Sequence, residues 1–212
     1  MRMDDDGWLI GARRIPSPNH DPRPPETEVT LVVIHAISLP PGQFGGPAIA
    51  ELFTNCLDPG AHPYFAAIAG LRVSAHFLIR RDGELVQFVP CHRRAWHAGA
   101  SSWRGRAGCN DFSLGIELEG CDDEAFAEAQ YQALQELLRA LRQRFPIADV
   151  VAHSDIAPGR KTDPGRASNG SGCATARADC RRPATFFSVG WIKHLRSEIP
   201  PTTISRKWQV TY

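Results

Sequence analysis

The sequence predicts an α/β protein in which helices flank a mixed central β-sheet. Short apolar, β-branched runs indicate buried strands, and an alternating pattern on both sides of Asp82-Gly83 is typical of a hairpin. A long stretch with helical periodicity lies between two of the strands. Strands separated by a helix can pair in parallel, whereas hairpin strands pair antiparallel, so the two patterns together indicate a mixed sheet.

The first half of the chain contains one strand, one short helix and the hairpin. Residues 30–38, TLVVIHAIS, follow a proline-rich segment and have the pattern of a buried strand. Residues 47–55, PAIAELFTN, begin with a proline where helices often start. Residues 76–90, HFLIRRDGELVQFVP, form the hairpin pattern, and residues 91–110 are rich in glycine and alanine, so we expect a long loop there.

The second half contains the main helix between two further strands. Residues 113–120 predict a strand with Leu114, Ile116 and Leu118 on one face and Gly115, Glu117 and Glu119 on the other. Residues 122–145 predict a helix, because apolar side chains recur at the spacing of one buried face: Tyr131, Leu134, Leu138, Leu141 and Phe145. Residues 150–165, VVAHSDIAPGRKTDPG, begin as a strand and continue after the histidine as an irregular segment, which is a common location for function.

Composition excludes several classes of protein. The chain has 212 residues, enough for one well-buried core, and its net charge of +1 gives no reason to expect a nucleic-acid partner. The N-terminus has acids where a signal peptide needs bases, and no segment approaches the roughly 18–20 apolar residues of a membrane span. We therefore expect a cytoplasmic protein. We also expect a monomer, although no sequence feature sets the oligomeric state.

The six cysteines are expected to be reduced thiols. They occur at irregular spacing and none belongs to a Cys-x-x-Cys pair. Without an export signal, this pattern disfavours both disulfides and a structural zinc site made of cysteines.

A change of composition divides the chain near residue 165. Residues 1–164 carry a net charge of −5, whereas residues 165–212 carry one of +6 and lack clear periodicity before Phe186. We expect residues 1–165 to form the folded domain. We expect residues 166–212 to be a basic, disordered tail rather than a surface for an anionic partner.

Three predicted strands carry a polar residue at or near their ends: His35, Glu117 and His153. Taken singly, a histidine that ends an apolar strand is more often a structural residue than a ligand. Together with Asp163, however, the two histidines fit a catalytic zinc site, in which three nitrogen or oxygen ligands leave a fourth position open. The spacing of His153 and Asp163 is by itself a weak signal.

Glu117 and Lys161 have the chemistry that such a site needs. A zinc hydrolase uses a base to take a proton from the attacking water and a cation to stabilise the charge that develops on the carbonyl oxygen. Lys161 is two residues before Asp163, and Gly115 leaves room beside Glu117. Either residue alone could be a solvated surface group. His97, in AWHAG, could line a pocket or only brace its loop.

Six segments, in this order, resemble the zinc-dependent N-acetylmuramoyl-L-alanine amidases: VVIHAISLPPGQFGG, HPYF, VSAHFLIRRDGELVQFV, RAWHAGAS, CNDFSLGIELEG and HSDIAPGRKTDPG. The resemblance extends from about Gly7 to Gly165, and an ordered series of this kind is highly specific. It implies the fold shared by phage lysozyme-type amidases and peptidoglycan-recognition proteins. It also implies an anhydro-muropeptide substrate from cell-wall turnover, cut at the amide between the lactyl group of 1,6-anhydro-N-acetylmuramic acid and L-alanine.

The resemblance further implies roles for single residues. Zn²⁺ would be bound by His35, His153 and Asp163, with Glu117 as the general base and Lys161 as the stabiliser of the oxyanion. In such pathways the uncut substrate also signals β-lactamase induction.

Substrate contacts are implied as well. Arg72 and Arg106 would bind the carboxylates of the stem peptide, because planar bidentate donors suit that role. Trp96 and Tyr64 would form the walls of the groove.

The chain departs from the family pattern in two places. Ala36 stands where the family usually has an asparagine on the substrate side, which would affect affinity or the position of the sugar. After residue 165 the family continues with a short acidic-aromatic segment and ends, whereas this chain continues as RASNGSGCATARADC. A shifted reading frame is a hypothesis that would explain such a change of composition.

Two other functions remain as alternatives at this point. One is a peptidoglycan-binding module of the same fold without catalysis, which Ala36 favours slightly and the complete set of ligands disfavours. The other is a zinc peptidase that cuts within the stem peptide, since it would use the same metal chemistry.

Overall fold

The computed structural model describes residues 1–122 and 124–165 of the chain. These residues form twelve strands, four α-helices and a 3₁₀-helix. In chain order the elements are β1 (Arg2–Met3), β2 (Leu9–Ile10), β3 (Arg13–Arg14), β4 (His20–Pro22), β5 (Leu31–Ile37), α1 (Ala48–Thr54), α2 (Pro63–Ala67), β6 (Phe77–Ile79), β7 (Leu85–Gln87), β8 (Arg93–Ala95), β9 (Ser102–Trp103), β10 (Arg106–Ala107), the 3₁₀-helix (Cys109–Asp111), β11 (Ser113–Glu119), α3 (Glu128–Arg144), β12 (Asp149–Ala152) and α4 (His153–Ile156). The predicted basic tail, residues 166–212, lies outside the described residues.

Six strands form the mixed sheet that the sequence predicts, in the order β12-β5-β11-β6-β7-β3. Strands β12, β5, β11 and β6 are parallel to one another, β7 pairs antiparallel with β6, and β3 pairs parallel with β7. The prediction of a mixed central sheet is therefore confirmed. Because β5, β11 and β12 run in the same direction, their carboxyl ends lie at one edge of the sheet, which is where open α/β sheets build their sites.

Helices flank the sheet on both faces, as predicted, and they pack against it through apolar side chains. On one face, α3 packs against side chains from the parallel strands; the fully buried members of this cluster include Val32, Ile34, Leu114, Ile116, Leu134, Leu137, Leu138 and Leu141. On the other face, α1 and α2 pack against β6 and β7 through Ile49, Phe53, Phe65, Leu78 and Val86. Each large side chain buried in this way contributes about 1.5–3 kcal/mol.

The predicted hairpin and strand faces agree with the structure. Strands β6 and β7 pair antiparallel across a turn in which Gly83 has a φ of +90°, a conformation that favours glycine. In β11, Leu114 and Ile116 belong to the cluster against α3, and Glu117 faces the other way.

The main helix begins later than the sequence pattern predicts. Helix α3 starts at Glu128, so residues 124–127 lie outside it, although its buried face matches the predicted spacing. The side chain of Gln130 accepts a hydrogen bond from the backbone of Ala127 at 2.9 Å, and its amide group donates to the carbonyls of Ile79 and Glu119. Tertiary hydrogen bonds to the sheet therefore define the start of this helix.

Two segments predicted as irregular contain short regular elements. Within residues 91–110, β8 pairs with β4, and β9 pairs with β10. His153 does not end a strand but begins the one-turn helix α4. Strand β8 pairs with β4, which is distant in the sequence, whereas β9 and β10 pair with each other and α4 is closed by the bond from Ala157 N–H to the carbonyl of His153. The sequence pattern does not reveal these partners.

Two further expectations concern the cysteines and membranes. Cys56, Cys91, Cys109 and Cys121 have free thiols, while the two later cysteines lie outside the described residues. In residues 1–122 and 124–165, no helix is both long enough and apolar enough to cross a bilayer.

Candidate active site

The carboxyl ends of three adjacent parallel strands bring together the polar residues that the sequence singles out. Glu117 on β11 pairs in register with His35 on β5, so both side chains point to the same face of the sheet. On the other side of β5, Ala152 pairs with Ile34, and His153 follows at the end of β12. All three polar side chains are buried, with 2%, 8% and 3% of the surface exposed for His35, Glu117 and His153.

The segment after α4 returns a fourth residue, Asp163, to this edge. The backbone N–H of Ser154 donates to the carbonyl of Asp163 at 3.0 Å, which fastens the returning chain to the start of α4. The guanidinium of Arg160 donates to the carbonyls of Ala98 and Ala100 at 2.9 and 2.7 Å. These bonds hold an otherwise irregular loop in one conformation.

The ligand atoms of His35, His153 and Asp163 form a compact group. His153 Nδ1 lies 2.9 Å from His35 Nδ1 and 3.0 Å from Asp163 Oδ2, and His35 Nδ1 lies 3.5 Å from the same oxygen. Ligand atoms about 2.0–2.1 Å from a tetrahedral zinc ion are about 3.3 Å from one another. Two imidazole nitrogens and one carboxylate oxygen also match the donor set of catalytic zinc sites, so these residues fit the ion.

The electrostatics of the group favour the forms that bind metal. Burial raises the pKa of Asp163, but the adjacent imidazoles of His153 and His35 outweigh that effect and hold this pKa well below its usual value. Burial lowers the pKa of His35 to about 4, partly offset by the hydrogen bond that only its charged form would donate to Asp163. At neutral pH the carboxylate is therefore ionised and the His35 imidazole is neutral, as metal ligands must be.

Glu117 has a perturbed pKa and, within the described part of the chain, an unpaired carboxylate oxygen, two properties of groups that transfer protons. Burial, together with the negative charge of Asp163, raises its pKa to about 8, while the positive charge of Lys161 opposes the rise. Among residues 1–122 and 124–165, its buried Oε2 has no hydrogen-bond partner. The Lys161 side chain is exposed at the rim of the site. A buried carboxyl beside three candidate metal ligands, with a perturbed pKa and an oxygen that has no partner among the described residues, is a candidate for a general base.

The space beside Glu117 is not empty, because the ring of His97 fills it. A Cβ atom on Gly115 would lie only 2.4 Å from Cγ of His97. Nδ1 of His97 lies 2.9 Å from Nε2 of His35, so this histidine both lines the site and contacts a candidate ligand. The signal in the sequence is the glycine within a strand, which often marks a close approach of another group.

The two arginines predicted to bind substrate lie on the surface. Arg72 is exposed, and its guanidinium is 3.4 Å from the carbonyl of Leu71. Arg106 on β10 is also exposed, and its guanidinium stacks on the ring of Phe112 at 4.0 Å from the ring centroid. Both guanidinium groups remain accessible to an anion in solution.

The two residues predicted to form the groove walls, and Ala36 after the first candidate ligand, differ in their exposure and contacts. Tyr64 on α2 exposes 41% of its surface. Trp96 is half-buried, and its side chain hydrogen-bonds to the carboxylate of Asp21. Ala36 follows His35 on β5 and pairs with Leu118 of β11, where it is half-buried at the end of the strand.

Comparison with known proteins defines the class to which this fold and site belong. Residues 25–166 match the family model for N-acetylmuramoyl-L-alanine amidase. The chain therefore belongs to the N-acetylmuramoyl-L-alanine amidase family, and it is a hydrolase of that class.

Individual relatives carry a narrower name. The chain is 61% identical over 165 residues to the 1,6-anhydro-N-acetylmuramyl-L-alanine amidase AmpD of Escherichia coli (strain K12), with 77% of this chain and 90% of that protein covered. It is 50% identical over 163 residues to AmpD of Haemophilus influenzae, with 76% and 89% covered. The crystal structure of a selenomethionine derivative of AmpD superposes with a TM-score of 0.77 at 60% identity, covering 80% of this chain and 95% of that one. A Clostridium intestinale endolysin amidase, at 20% identity and a TM-score of 0.52, shares the fold.

Proposed function

We propose that the protein is a zinc-dependent amidase that hydrolyses the lactyl-amide bond between 1,6-anhydro-N-acetylmuramic acid and L-alanine of muropeptides in cell-wall recycling. The observation that carries this proposal is the group of His35, His153 and Asp163 at one sheet edge, with Glu117 on the adjacent strand. The narrower name of the relatives, which specifies the 1,6-anhydro sugar, supports the choice of substrate. We place the enzyme in the cytoplasm as a monomer, with residues 1–165 as its amidase domain.

Three residues of the chain would hold the zinc ion, the Lewis acid of the reaction. When bound, zinc supplies Lewis acidity, which polarises the scissile carbonyl and makes water a better acid. His35, His153 and Asp163 would hold the ion through one donor atom each, as catalytic zinc sites with three protein ligands do.

Glu117 acts as the general base and Lys161 stabilises developing charge. The carboxylate of Glu117 takes a proton from the attacking water and then passes it to the leaving nitrogen of L-alanine. A pKa of about 8 without metal would fall once a dication occupies the neighbouring group, because nearby positive charge favours the ionised carboxyl. The ammonium group of Lys161 stabilises the oxyanion that forms on the carbonyl.

Substrate contacts lie around this centre. Arg72 and Arg106 bind carboxylates of the stem peptide through planar, bidentate donors. Tyr64 and Trp96 form walls against which the sugar or peptide packs. By consuming the anhydro-muropeptide, the enzyme would also lower the concentration of a signal for β-lactamase induction.

A mass-spectrometric assay tests the proposal directly. Anhydro-muropeptide is incubated with zinc-loaded protein and, in parallel, with chelated protein. Release of the intact stem peptide and the free anhydro-sugar, only with zinc, is the expected result. Shortened peptides would indicate a zinc peptidase, and binding without cleavage would indicate a recognition module. Intact muropeptide, run beside it, measures how strictly the enzyme requires the anhydro sugar.

The matched control is Glu117→Gln, which keeps the shape of the side chain but cannot take a proton. This variant should retain zinc and lose about 10²–10⁴-fold in rate, the usual contribution of a general base. A rate close to that of the unaltered enzyme would assign the base to another group.

A further inference from the structure

The two ring nitrogens of His35 have different neighbours. Nδ1 faces the other ligand atoms, at 2.9 Å from His153 Nδ1 and 3.5 Å from Asp163 Oδ2. Nε2 faces away from them and lies 2.9 Å from Nδ1 of His97. A neutral imidazole that binds a cation through Nδ1 carries its proton on Nε2, where it is a donor. His35 therefore needs an acceptor at the position that His97 Nδ1 occupies.

The other contacts of His97 allow it to be that acceptor. Its Nε2 lies 3.2 Å from Oγ of Ser113, and this hydroxyl lies 2.5 Å from the carbonyl of Cys109. A carbonyl can only accept, so Ser113 donates to Cys109, His97 Nε2–H donates to Ser113, and His97 Nδ1 is left as an acceptor for His35. Every donor in this series has one acceptor, and the series has one direction.

The surroundings of His97 hold its ring in place. The backbone N–H of His97 donates to Oδ1 of Asn110 at 3.1 Å. The ring lies where a side chain on residue 115 would be, since the three atoms nearest to a Cβ built on Gly115 all belong to His97, at 2.4 to 2.7 Å. The other candidate ligand, His153, has the carbonyl of Ala98 at 3.4 Å from its Nε2. Backbone carbonyls commonly accept the hydrogen bond from the outer ring nitrogen of a metal-binding histidine. The use of a side chain, His97, as the acceptor for His35 is therefore a specific feature of this site.

We propose that His97 is a positioning residue that keeps His35 in the Nε2-protonated tautomer and fixes the orientation of its ring toward the metal site. The inference rests on the proposed zinc site and adds a residue outside the three ligands to it. Loss of such an outer partner commonly costs about 10–100-fold in metal affinity or activity.

Zinc affinity of His97 variants provides the first test. Dissociation constants are measured by competition with a chromophoric chelator, and circular dichroism confirms that each variant is folded. His97→Leu removes the acceptor and should raise the zinc Kd about 10–100-fold. His97→Asn places an oxygen near the position of Nδ1 and should recover most of this loss. His92→Leu is the matched control, because it removes an exposed imidazole that lies against Gly7, and it should leave the Kd unchanged.

A second variant tests the position of the ring without removing a hydrogen-bonding group. Gly115→Ala should raise the zinc Kd, because its methyl group would displace the His97 ring. In a His97→Ala background the same change should have little effect, since no ring is present to displace. Additive effects of the two substitutions would contradict action through His97.

The tautomer of His35 provides a spectroscopic test that does not depend on zinc. Long-range ¹H–¹⁵N correlation spectra of the metal-free protein report which ring nitrogen carries the proton. We expect Nε2 protonation in the unaltered protein and in His97→Asn, and mixed tautomers in His97→Leu. Nδ1 protonation in the unaltered protein, or an unchanged zinc Kd in folded His97→Leu, would overturn this inference and leave the zinc proposal intact. Failure of the unaltered protein to bind zinc would overturn the proposed function and this inference together.

Discussion

Glu117 should make the metal-free protein less stable as the pH rises, and Glu117→Gln should remove this effect. The pKa of Glu117 is raised in the folded state from 4.5 to about 8, first by burial and then by the charge of Asp163. Between these pH values the folded protein holds a proton that the unfolded chain has released. The free energy of unfolding therefore falls as the pH rises through this window.

The magnitude follows from the size of the pKa change. At about 1.4 kcal/mol for each pKa unit, the raised pKa of Glu117 makes the free energy of unfolding about 5 kcal/mol lower above pH 8 than below pH 4.5. About 2–3 kcal/mol of this loss falls between pH 5 and pH 7. His35 contributes with the opposite sign, because its pKa is lowered to about 4 and the unfolded chain holds the extra proton below pH 6.5. That contribution is common to both proteins, so it cancels in their difference.

The assay is urea unfolding followed by circular dichroism at pH 5, 6, 7 and 8 in the presence of a chelator. We expect Glu117→Gln to gain stability relative to the unaltered protein by about 2–3 kcal/mol between pH 5 and pH 7. A stability difference between the two proteins that does not change with pH would refute the assignment of a raised pKa to Glu117. Equal m values would show that the two unfolding reactions expose similar surface.

Other substitutions test the metal group, the core and the substrate side. Asp163→Ala should abolish zinc retention, measured by metal analysis after gel filtration, and hydrolysis with it; full activity would remove Asp163 from the ligand set. Leu138→Ala, at a fully buried position under the sheet, should cost about 2–5 kcal/mol in urea unfolding and leave activity per folded molecule unchanged. Glu119→Ala should cost about 3–5 kcal/mol, because it removes the buried carboxylate that pairs with Arg80 at 3.0 Å and leaves this largely buried guanidinium with only the carboxylate of Glu84 at 4.0 Å; a loss below 1 kcal/mol would contradict that pairing. Ala36→Asn should lower KM with no change in zinc affinity, and an unchanged KM would separate residue 36 from substrate binding.

The strand and helix faces were readable from the sequence because they depend on local periodicity. Leu114 and Ile116 alternate with Gly115 and Glu117, and a strand with that pattern must place the two sets on opposite faces. The buried stripe of α3 follows from the 3.6-residue period in the same way. The start of α3 did not follow from local pattern, because it depends on Gln130 hydrogen-bonding to carbonyls of two distant strands.

The candidate metal residues were identified by chemical type and by the order of the segments, not by distance. The sequence contains eight histidines, and nothing local separates His35 and His153 from the others except the apolar runs before them. Register decides that Glu117 lies beside His35, since the two residues pair across β11 and β5. A shift of one residue in that pairing would turn the carboxyl to the opposite face.

The sequence by itself determined the class of fold, the residue types available for catalysis and membership of an amidase family, because these depend on local periodicity and on ordered motifs. Only the tertiary structure decided that His97 occupies the space left by Gly115 and contacts His35, a choice that the AWHAG segment left open. It also decided the raised pKa of Glu117, which results from burial and from the charge of Asp163. Contacts between residues distant in the chain, and the low dielectric environment that they create, arise only when the strands are assembled.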